Sequence, residues 1–333
     1  MIHTTELIKQ IKYEEYYLLL QQNNVKIDNN KNIYLYSLAN KGITRIKAYP
    51  QQIDNGYIYW CNIIVNLNRV AKNGKQTPFP LCVNEKNIDN LKQNFENFIK
   101  PLLANHSNIF DWIVQRIDYT IDIQTTNVKE YIQLLQRGDK PYHYQIDNEK
   151  QHKKEIDKTH YPNSVRYKSK SATINIYNKY EERKSQKYDG IILENCKNIL
   201  RLEIQCFKRK AIYLKQKYNK SISGLRAFLI SEEQQKAIFK YYISRICGKA
   251  NYYEYTKAIK RIEESNLHQK TKYILKRLLQ EISIHKSVWK AKLLLKPKNY
   301  SEYFNKLEKL NINPTTIPRR WAKNSMLNIY RLI

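Results

Sequence analysis

The sequence lacks the features that mark several common protein classes. With only 7 glycines and 9 prolines in 333 residues, it is neither collagen-like nor of low complexity. No apolar run of about 18 residues occurs and the first residues contain no signal-peptide core, so we expect no membrane partner. The seven histidines form no HExxH or HxxxH motif, which excludes the usual zinc hydrolase signatures.

Cysteine is also scarce and is not paired. The five cysteines are scattered along the chain at Cys61, Cys82, Cys196, Cys206 and Cys247. Their odd number and the lack of any CxxC pair argue against a disulfide framework and against a structural zinc site. The cysteine pattern therefore favours a reducing compartment.

Acidic residues are few relative to basic ones. The chain has 30 Asp and Glu against 59 Lys and Arg, a net charge of +29. Such an excess favours a polyanionic partner, and without a membrane signal we take that partner to be nucleic acid. A lysine-rich coding bias would produce the same excess, so charge alone leaves both interpretations open.

Apolar periodicity divides the chain into two parts. Up to about residue 222 strand patterns alternate with helical ones, whereas residues 223 to 333 are almost entirely helical in pattern. The first part predicts an α+β fold in which an antiparallel sheet carries helices on one face. We therefore predict an α+β domain at residues 1 to 222, with its core at about 111 to 222, and a basic helical domain at 223 to 333.

Strands and helices are predicted from these patterns as follows. Strands are expected at residues 32 to 38, 43 to 49, 57 to 67, 112 to 123, 164 to 168, 173 to 178 and 199 to 206. Helices are expected at residues 86 to 104, 127 to 135, 231 to 247, 252 to 264 and 267 to 293. Residues 139 to 163 give no clear pattern.

Three strands carry polar residues on one face and apolar residues on the other, because side chains alternate along a strand. The polar residues are Arg116, Asp118, Thr120 and Asp122 on one strand, Asn175, Tyr177 and Lys179 on the next, and Arg201, Glu203 and Gln205 on the last. Carboxylates, a tyrosine and cations together suit phosphoryl transfer assisted by Mg2+ or Mn2+. Solvated surface residues would give the same pattern, so spacing alone leaves both interpretations open.

Strand geometry limits the choice of metal ligands. Asp118 and Asp122 are four residues apart, which separates them by about 13 Å along a strand. Only one of them can therefore join Glu203 at a single ion. We favour Asp118, which lies in mid-strand beside Arg116.

The ordered motifs R-I-D-x-T, I-Y-x-K-x-x-E and L-R-x-E resemble those of the gene II/X family of phage and plasmid replication initiators. These are rolling-circle nicking enzymes, related to Rep proteins with a degenerate HUH-like site. The matching stretches are RIDYTIDI at 116 to 123, TINIYNKYEER at 173 to 183 and LRLEIQC at 200 to 206. A further stretch, LEKLNINPTTIPRRW at 307 to 321, is similar to the C-terminal segment of that family.

The resemblance implies roles for four residues. Tyr177 matches the nucleophile and Lys179 the accompanying cation, while Asp118 and Glu203 match the metal ligands. Arg116 and Arg201 are candidates for supporting roles.

One departure from the family pattern leaves the third metal ligand open. The HUH histidine pair is missing, because PYHYQ at 141 to 145 offers only His143. Asp122, His143 and the strand near Asn62 remain candidates for the third ligand. Tyr180 is expected to be structural.

The resemblance also implies a function. The chain would nick origin DNA, single-stranded or supercoiled, form a 5′-phosphotyrosyl intermediate and rejoin strands at termination. The implied partners are origin DNA and the host helicase, polymerase and single-strand-binding protein, in the bacterial cytoplasm. Basic residues expected to hold DNA phosphates are Lys208, Arg209, Lys210, Arg226, Arg319 and Arg320.

Two other functions remain open. One is a non-catalytic sheet whose aromatic side chains stack on nucleic-acid bases. The other is a theta-type plasmid initiator built from winged helices, which would need no nucleophilic tyrosine.

Overall fold

A computed structural model describes residues 1–146, 163–295 and 300–333. Within these ranges the strands are β1 (Ile2–Ile11), β2 (Lys26–Ile27), β3 (Ile33–Leu35), β4 (Ile43–Ile53), β5 (Gly56–Asn66), β6 (Ile113–Gln124), β7 (Gln145–Ile146), β8 (Ser164–Lys168), β9 (Ala172–Asn178), β10 (Ile199–Phe207), β11 (Tyr252–Tyr253) and β12 (Ser325–Met326). Most of the stretch without a clear pattern, residues 147 to 162, lies outside the described residues.

The helices of the described ranges are α1 (Tyr13–Leu20), α2 (Leu67–Ala71), α3 (Glu85–Ile99), α4 (Val128–Gln136), α5 (Lys179–Ser185), α6 (Gly190–Glu194), α7 (Lys208–Tyr218), α8 (Glu232–Cys247), α9 (Tyr255–Glu263), α10 (Gln269–His285), α11 (Val288–Leu295) and α12 (Tyr300–Lys309). The single helix predicted at 267 to 293 is divided into α10 and α11, because Lys286 adopts a left-handed conformation between them. Among these helices, none is both long and apolar enough to cross a bilayer.

Strands β1 to β10 form one antiparallel sheet in the order β2-β3-β4-β5-β1-β6-β10-β9-β8-β7. The predicted α+β class, an antiparallel sheet with helices followed by a mostly helical C-terminal region, is confirmed. The three strands that carry the motifs are neighbours, since β10 pairs with β6 on one side and with β9 on the other. The motifs therefore meet on one part of the sheet.

The central strand β1 is not among the strands predicted from the sequence. It runs through the middle of the sheet, between β5 and β6. Its pairing with β6 shifts register between Ile2 and Thr5 and again between Glu6 and Leu7. Such bulges interrupt the alternation of buried and exposed side chains that marks a strand in a sequence.

Two apolar cores hold the described residues together. The main core joins the apolar face of the sheet, with Tyr119, Ile176 and Leu202, to α8 residues such as Phe239. Helices α9 to α12 enclose a separate core that includes Leu279. The domain boundary near residue 222 stays a prediction, although side chains from both sides of it share the main core.

Candidate active site

The register of β6, β10 and β9 brings the predicted residues onto one side of the sheet. Tyr177 lies opposite Arg201, and Arg201 lies opposite Asp122. Residues directly opposite each other in a sheet point to the same side. Glu203 lies two residues from Arg201 on β10, and Asp118 lies four residues from Asp122 on β6. Both steps are even, so these carboxylates share that side, which we call the polar face.

The Tyr177 hydroxyl lies beside the Glu203 carboxylate. It donates a hydrogen bond to Oε2 of Glu203 at 3.4 Å. The other carboxylate oxygen, Oε1, accepts hydrogen bonds from Asn175 Nδ2 at 3.3 Å and from Gln205 Nε2 at 2.9 Å. These amides orient the carboxylate, so that a base lies within reach of the hydroxyl proton.

The environment of Tyr177 favours the protonated hydroxyl. Burial raises its pKa well above the usual value of 10.0, and the negative charge of Glu203 raises it further. The charge of Arg201 opposes both effects. Formation of the phenolate at neutral pH therefore needs a base to take the proton and cations to stabilise the negative charge.

Arg201 is fully buried and forms a bidentate ion pair with Asp122. Its Nε and Nη2 atoms donate to the two carboxylate oxygens at 2.6 Å and 2.7 Å. Nη2 also donates to the carbonyl oxygen of Pro78 at 2.6 Å, whereas Nη1 has no hydrogen-bond partner among the described residues. Because Arg201 occupies both oxygens of Asp122, the suggestion that Asp122 is a third metal ligand gains no support and stays a prediction.

Lys179 does not continue strand β9, so its placement in the polar row of that strand is wrong, although the predicted end of the strand at residue 178 is confirmed. The strand ends at Asn178, whose side chain accepts a hydrogen bond from the Tyr180 amide and so caps helix α5. Lys179 is the first residue of α5, and its Nζ lies 2.7 Å from Glu182 Oε2 and 5.8 Å from the centre of the Tyr177 ring. The expected cation does lie beside Tyr177. It does so because it begins helix α5, and not because it shares a strand face with Tyr177.

Basic groups gather around Arg201. Burial, followed by the charge of Arg201, lowers the pKa of Lys179 to about 8, which leaves it mostly charged at pH 7. Burial and the charges of Arg201, Lys179 and Arg183 lower the pKa of His3 well below 6.5. His3 escaped the sequence analysis because β1 was not predicted.

Asp118 is a buried acid beside a basic partner. Arg116 Nε lies 3.1 Å from its Oδ1 oxygen. Burial nevertheless raises the pKa of Asp118 to about 8, and the charge of Glu203 adds to this rise. The neutral acid is therefore the main form at pH 7 in the absence of a bound cation.

Asp118 and Glu203 fit a metal site built on two carboxylates. They occupy diagonal positions on adjacent strands, where Cα atoms are about 7–8 Å apart. Mg2+ often binds through one or two carboxylates together with substrate phosphates and water. Within the described ranges, no group of three or more His, Cys, Asp or Glu side chains is placed to hold a metal ion, so the third ligand stays open.

We expect Asp118→Asn to stabilise the metal-free fold at neutral pH. The folded pKa of about 8 exceeds the ordinary value of 3.8, so the folded state binds the proton more tightly. This group therefore lowers stability progressively as pH rises from 4 to 8. At about 1.4 kcal/mol per pH unit between pH 4 and pH 8, urea unfolding in EDTA should show a gain of roughly 5 kcal/mol at pH 8 and little gain at pH 4. An equal gain at both pH values would contradict the assignment.

A groove of about 680 Å³ opens the site to solvent beside Tyr177. Its walls include Ser164 on β8, Asn175 on β9 and Glu182 on α5. The groove gives an extended chain a path to the tyrosine.

The basic residues predicted to contact DNA are not all near this groove. Lys208, Arg209 and Lys210 begin helix α7 at the far end of β10, about 23 Å along the strand from Arg201. Lys208 and Arg209 are exposed, but Lys210 is half-buried, with its Nζ 4.5 Å from the centre of the Tyr213 ring.

The remaining basic candidates lie in short 3₁₀ turns. Arg319 and Arg320 are exposed in the turn Arg319–Trp321, and Arg226 is exposed in the turn Leu225–Phe228. All three side chains are exposed, so each can contact a DNA phosphate without a rearrangement of the fold.

The arrangement combines a tyrosine hydroxyl, a carboxylate in contact with it, a second buried acid and several cations. Such a set can transfer a phosphoryl group to the tyrosine. No family model, no curated protein and no solved structure matches this chain.

Proposed function

We propose that the chain is a metal-dependent DNA nicking and joining enzyme that initiates rolling-circle replication. The observation that carries the proposal is the contact of 3.4 Å between the Tyr177 hydroxyl and Glu203, beside an open groove. The net charge of +29 supports a nucleic-acid substrate. The order of the three motifs supports the role in replication.

In the nicking step, Glu203 accepts the proton of the Tyr177 hydroxyl while the phenolic oxygen attacks a DNA phosphorus. The bond from phosphorus to the 3′-oxygen breaks, and that oxygen takes a proton from solvent to become a 3′-hydroxyl. The product is a 5′-phosphotyrosyl link, which conserves the energy of the phosphodiester. Attack by a later 3′-hydroxyl reverses the step and joins the strands without ATP.

The neighbouring side chains stabilise charge in this scheme. Lys179 lies beside the Tyr177 ring and offsets negative charge that develops on the phenolic oxygen and the phosphate. Arg201 is fully buried and acts through Tyr177, so it is a positioning residue. Asp118 and Glu203 would hold Mg2+ or Mn2+, which when bound would neutralise phosphate charge.

The proposed partners follow from this role. Origin DNA would be the substrate, and the exposed Lys208, Arg209, Arg319 and Arg320 would contact its phosphates. The host helicase, polymerase and single-strand-binding protein would act on the nicked product in the bacterial cytoplasm.

The test is a search for a covalent protein–DNA adduct. Purified protein is mixed with overlapping single-stranded fragments from both strands of the replicon that encodes the chain, with Mn2+ or Mg2+. We expect an adduct that survives denaturation in SDS and disappears in EDTA. After digestion, mass spectrometry should find the nucleotide on the peptide containing Tyr177. No adduct with any fragment, or attachment to another residue, would overturn the proposal.

A nucleic-acid-binding protein without catalysis is the second candidate. The raised pKa of Tyr177 favours it, since a permanently protonated tyrosine is a poor nucleophile. Such a protein would bind the same fragments and form no adduct under any metal condition.

A further inference from the structure

The sheet is made of two halves with the same connectivity. The first half contains β1, α1 and β2 to β5, and the second contains β6, α4 and β7 to β10. Outward from the centre, the order β1-β5-β4-β3-β2 repeats as β6-β10-β9-β8-β7. Since β1 and β6 pair antiparallel, an approximate two-fold axis passes between them.

The cross-strand register extends this correspondence to individual residues. In the second half, Tyr177 on β9 lies opposite the residue two positions before Glu203 on β10. In the first half, Tyr49 on β4 lies opposite the residue two positions before Asn62 on β5. Tyr49 and Asn62 therefore occupy the positions of Tyr177 and Glu203.

The first half has a different chemistry at these positions. An amide, that of Asn62, replaces the carboxylate of Glu203. Asn62 Nδ2 donates to Glu6 Oε1 at 3.0 Å, and its Oδ1 accepts from Arg45 Nη2 at 3.2 Å. Glu6 also lies 3.6 Å from Arg45 and 3.7 Å from Arg116, so its charge is balanced. Tyr49 therefore has no carboxylate at the position that Glu203 occupies beside Tyr177.

Aromatic and basic side chains lie together on the polar face of the first half. Direct cross-strand pairing places them on that side, and we call them the aromatic patch: Lys26, Tyr34, Lys47, Tyr49 and Trp60. Lys47 Nζ lies 5.0 Å from the centre of the Tyr49 ring and 5.6 Å from that of Tyr34.

The nearby acids leave the patch attractive to phosphate. The negative charge of Glu6 is balanced by Arg45 and Arg116. Asp28, at the outer edge, accepts hydrogen bonds from the Tyr34 hydroxyl at 3.2 Å and from Asn32 Nδ2 at 2.6 Å. Lys26 and Lys47 outnumber this one carboxylate, so these three groups together carry a net positive charge.

We propose that the aromatic patch binds a stretch of single-stranded DNA, with bases stacked on the rings and phosphates near the lysines. That this stretch belongs to the strand cleaved at Tyr177 rests on the proposed function. Five inter-strand spacings, about 24 Å, separate β4 from β9. OB folds that bind single-stranded DNA cover roughly 4–16 nucleotides per site. A strand of such length can reach from the aromatic patch to Tyr177.

The test measures binding of fluorescein-labelled dT20 by anisotropy. We expect Lys47→Glu/Tyr49→Ala to raise Kd about tenfold or more, because one stacked base and one phosphate contact are lost. The matched control Lys270→Glu/Tyr273→Ala, exposed on α10, removes the same charge and ring and should change Kd less than about twofold.

A second measurement avoids any change in the fold. The wild-type protein is irradiated with a bromodeoxyuridine-substituted 20-mer, and crosslinks are expected on peptides containing Tyr49 or Trp60. Unchanged affinity of the patch variant together with crosslinks elsewhere would overturn the proposal. Equal competition by a hairpin duplex would exclude stacking, and tighter binding of rU20 than of dT20 would exclude DNA as the ligand.

These measurements separate the patch from the nicking chemistry. If the wild type forms no adduct but the patch variant still loses affinity for dT20, only the proposed function fails. If the patch variant binds dT20 normally and the wild type still forms the adduct, only the patch proposal fails.

Discussion

Tyr177→Phe is expected to abolish formation of the protein–DNA adduct, with a loss of roughly 10⁴-fold or more in rate. The substitution removes the only atom of this side chain that can attack phosphorus and keeps the ring. The hydrogen bond lost to Glu203 is long, at 3.4 Å, so its contribution to stability is small. The rate is measured by quenching into SDS at timed intervals, and thermal unfolding should shift by no more than a few degrees.

The neighbouring Tyr180 is the matched control for this experiment. It lies three residues away on helix α5, and Tyr180→Phe should form the adduct at the rate of the wild type. Glu203→Gln should reduce the rate by about 10²–10⁴-fold, because a neutral amide replaces the carboxylate that accepts the proton and that would also hold the metal. An adduct that persists in Tyr177→Phe and vanishes in Tyr180→Phe would show that Tyr180, and not Tyr177, is the nucleophile.

Alternation along three strands was enough to predict much of the polar face. It placed Tyr177 with Asn175, Glu203 with Gln205 and Asp118 with its neighbours, because a period of two fixes which side each residue occupies. It gave no pairing order, so the contact between Tyr177 and Glu203 required the structure. Pairing between strands depends on the whole chain and has no local signal.

Other parts of the site could not be inferred from periodicity. Strand β1, with His3 and Glu6, is hidden by its bulges. Alternation places Lys179 on the same face as Tyr177, but the Asn178 cap begins a helix there. The repeat of the sheet halves escaped the analysis, since the matching positions differ in residue type, as Asn62 and Glu203 show.

Arg201 links the polar face to the stability of the fold. Its guanidinium connects Asp122 on β6 with the loop at Pro78, and it lies opposite Tyr177 on β9. A buried ion pair costs desolvation of both charges, so its presence alone is weak evidence of stabilisation. Removing one partner of such a pair destabilises the fold strongly, because the other charge is then left buried without a partner.

We therefore expect Arg201→Met to lower the free energy of unfolding by about 3–5 kcal/mol, measured by urea denaturation at pH 7. The Asp122 carboxylate, 11% exposed, would lose both of its bonds to the guanidinium. The double variant Arg201→Met/Asp122→Leu should recover a large part of the loss, because no unpaired charge remains. The exposed pair of Lys197 with Glu194 provides the control, and Lys197→Met should leave the free energy of unfolding almost unchanged, because water already solvates both charges. A double variant as unstable as Arg201→Met would show that lost packing, and not the unpaired carboxylate, causes the effect.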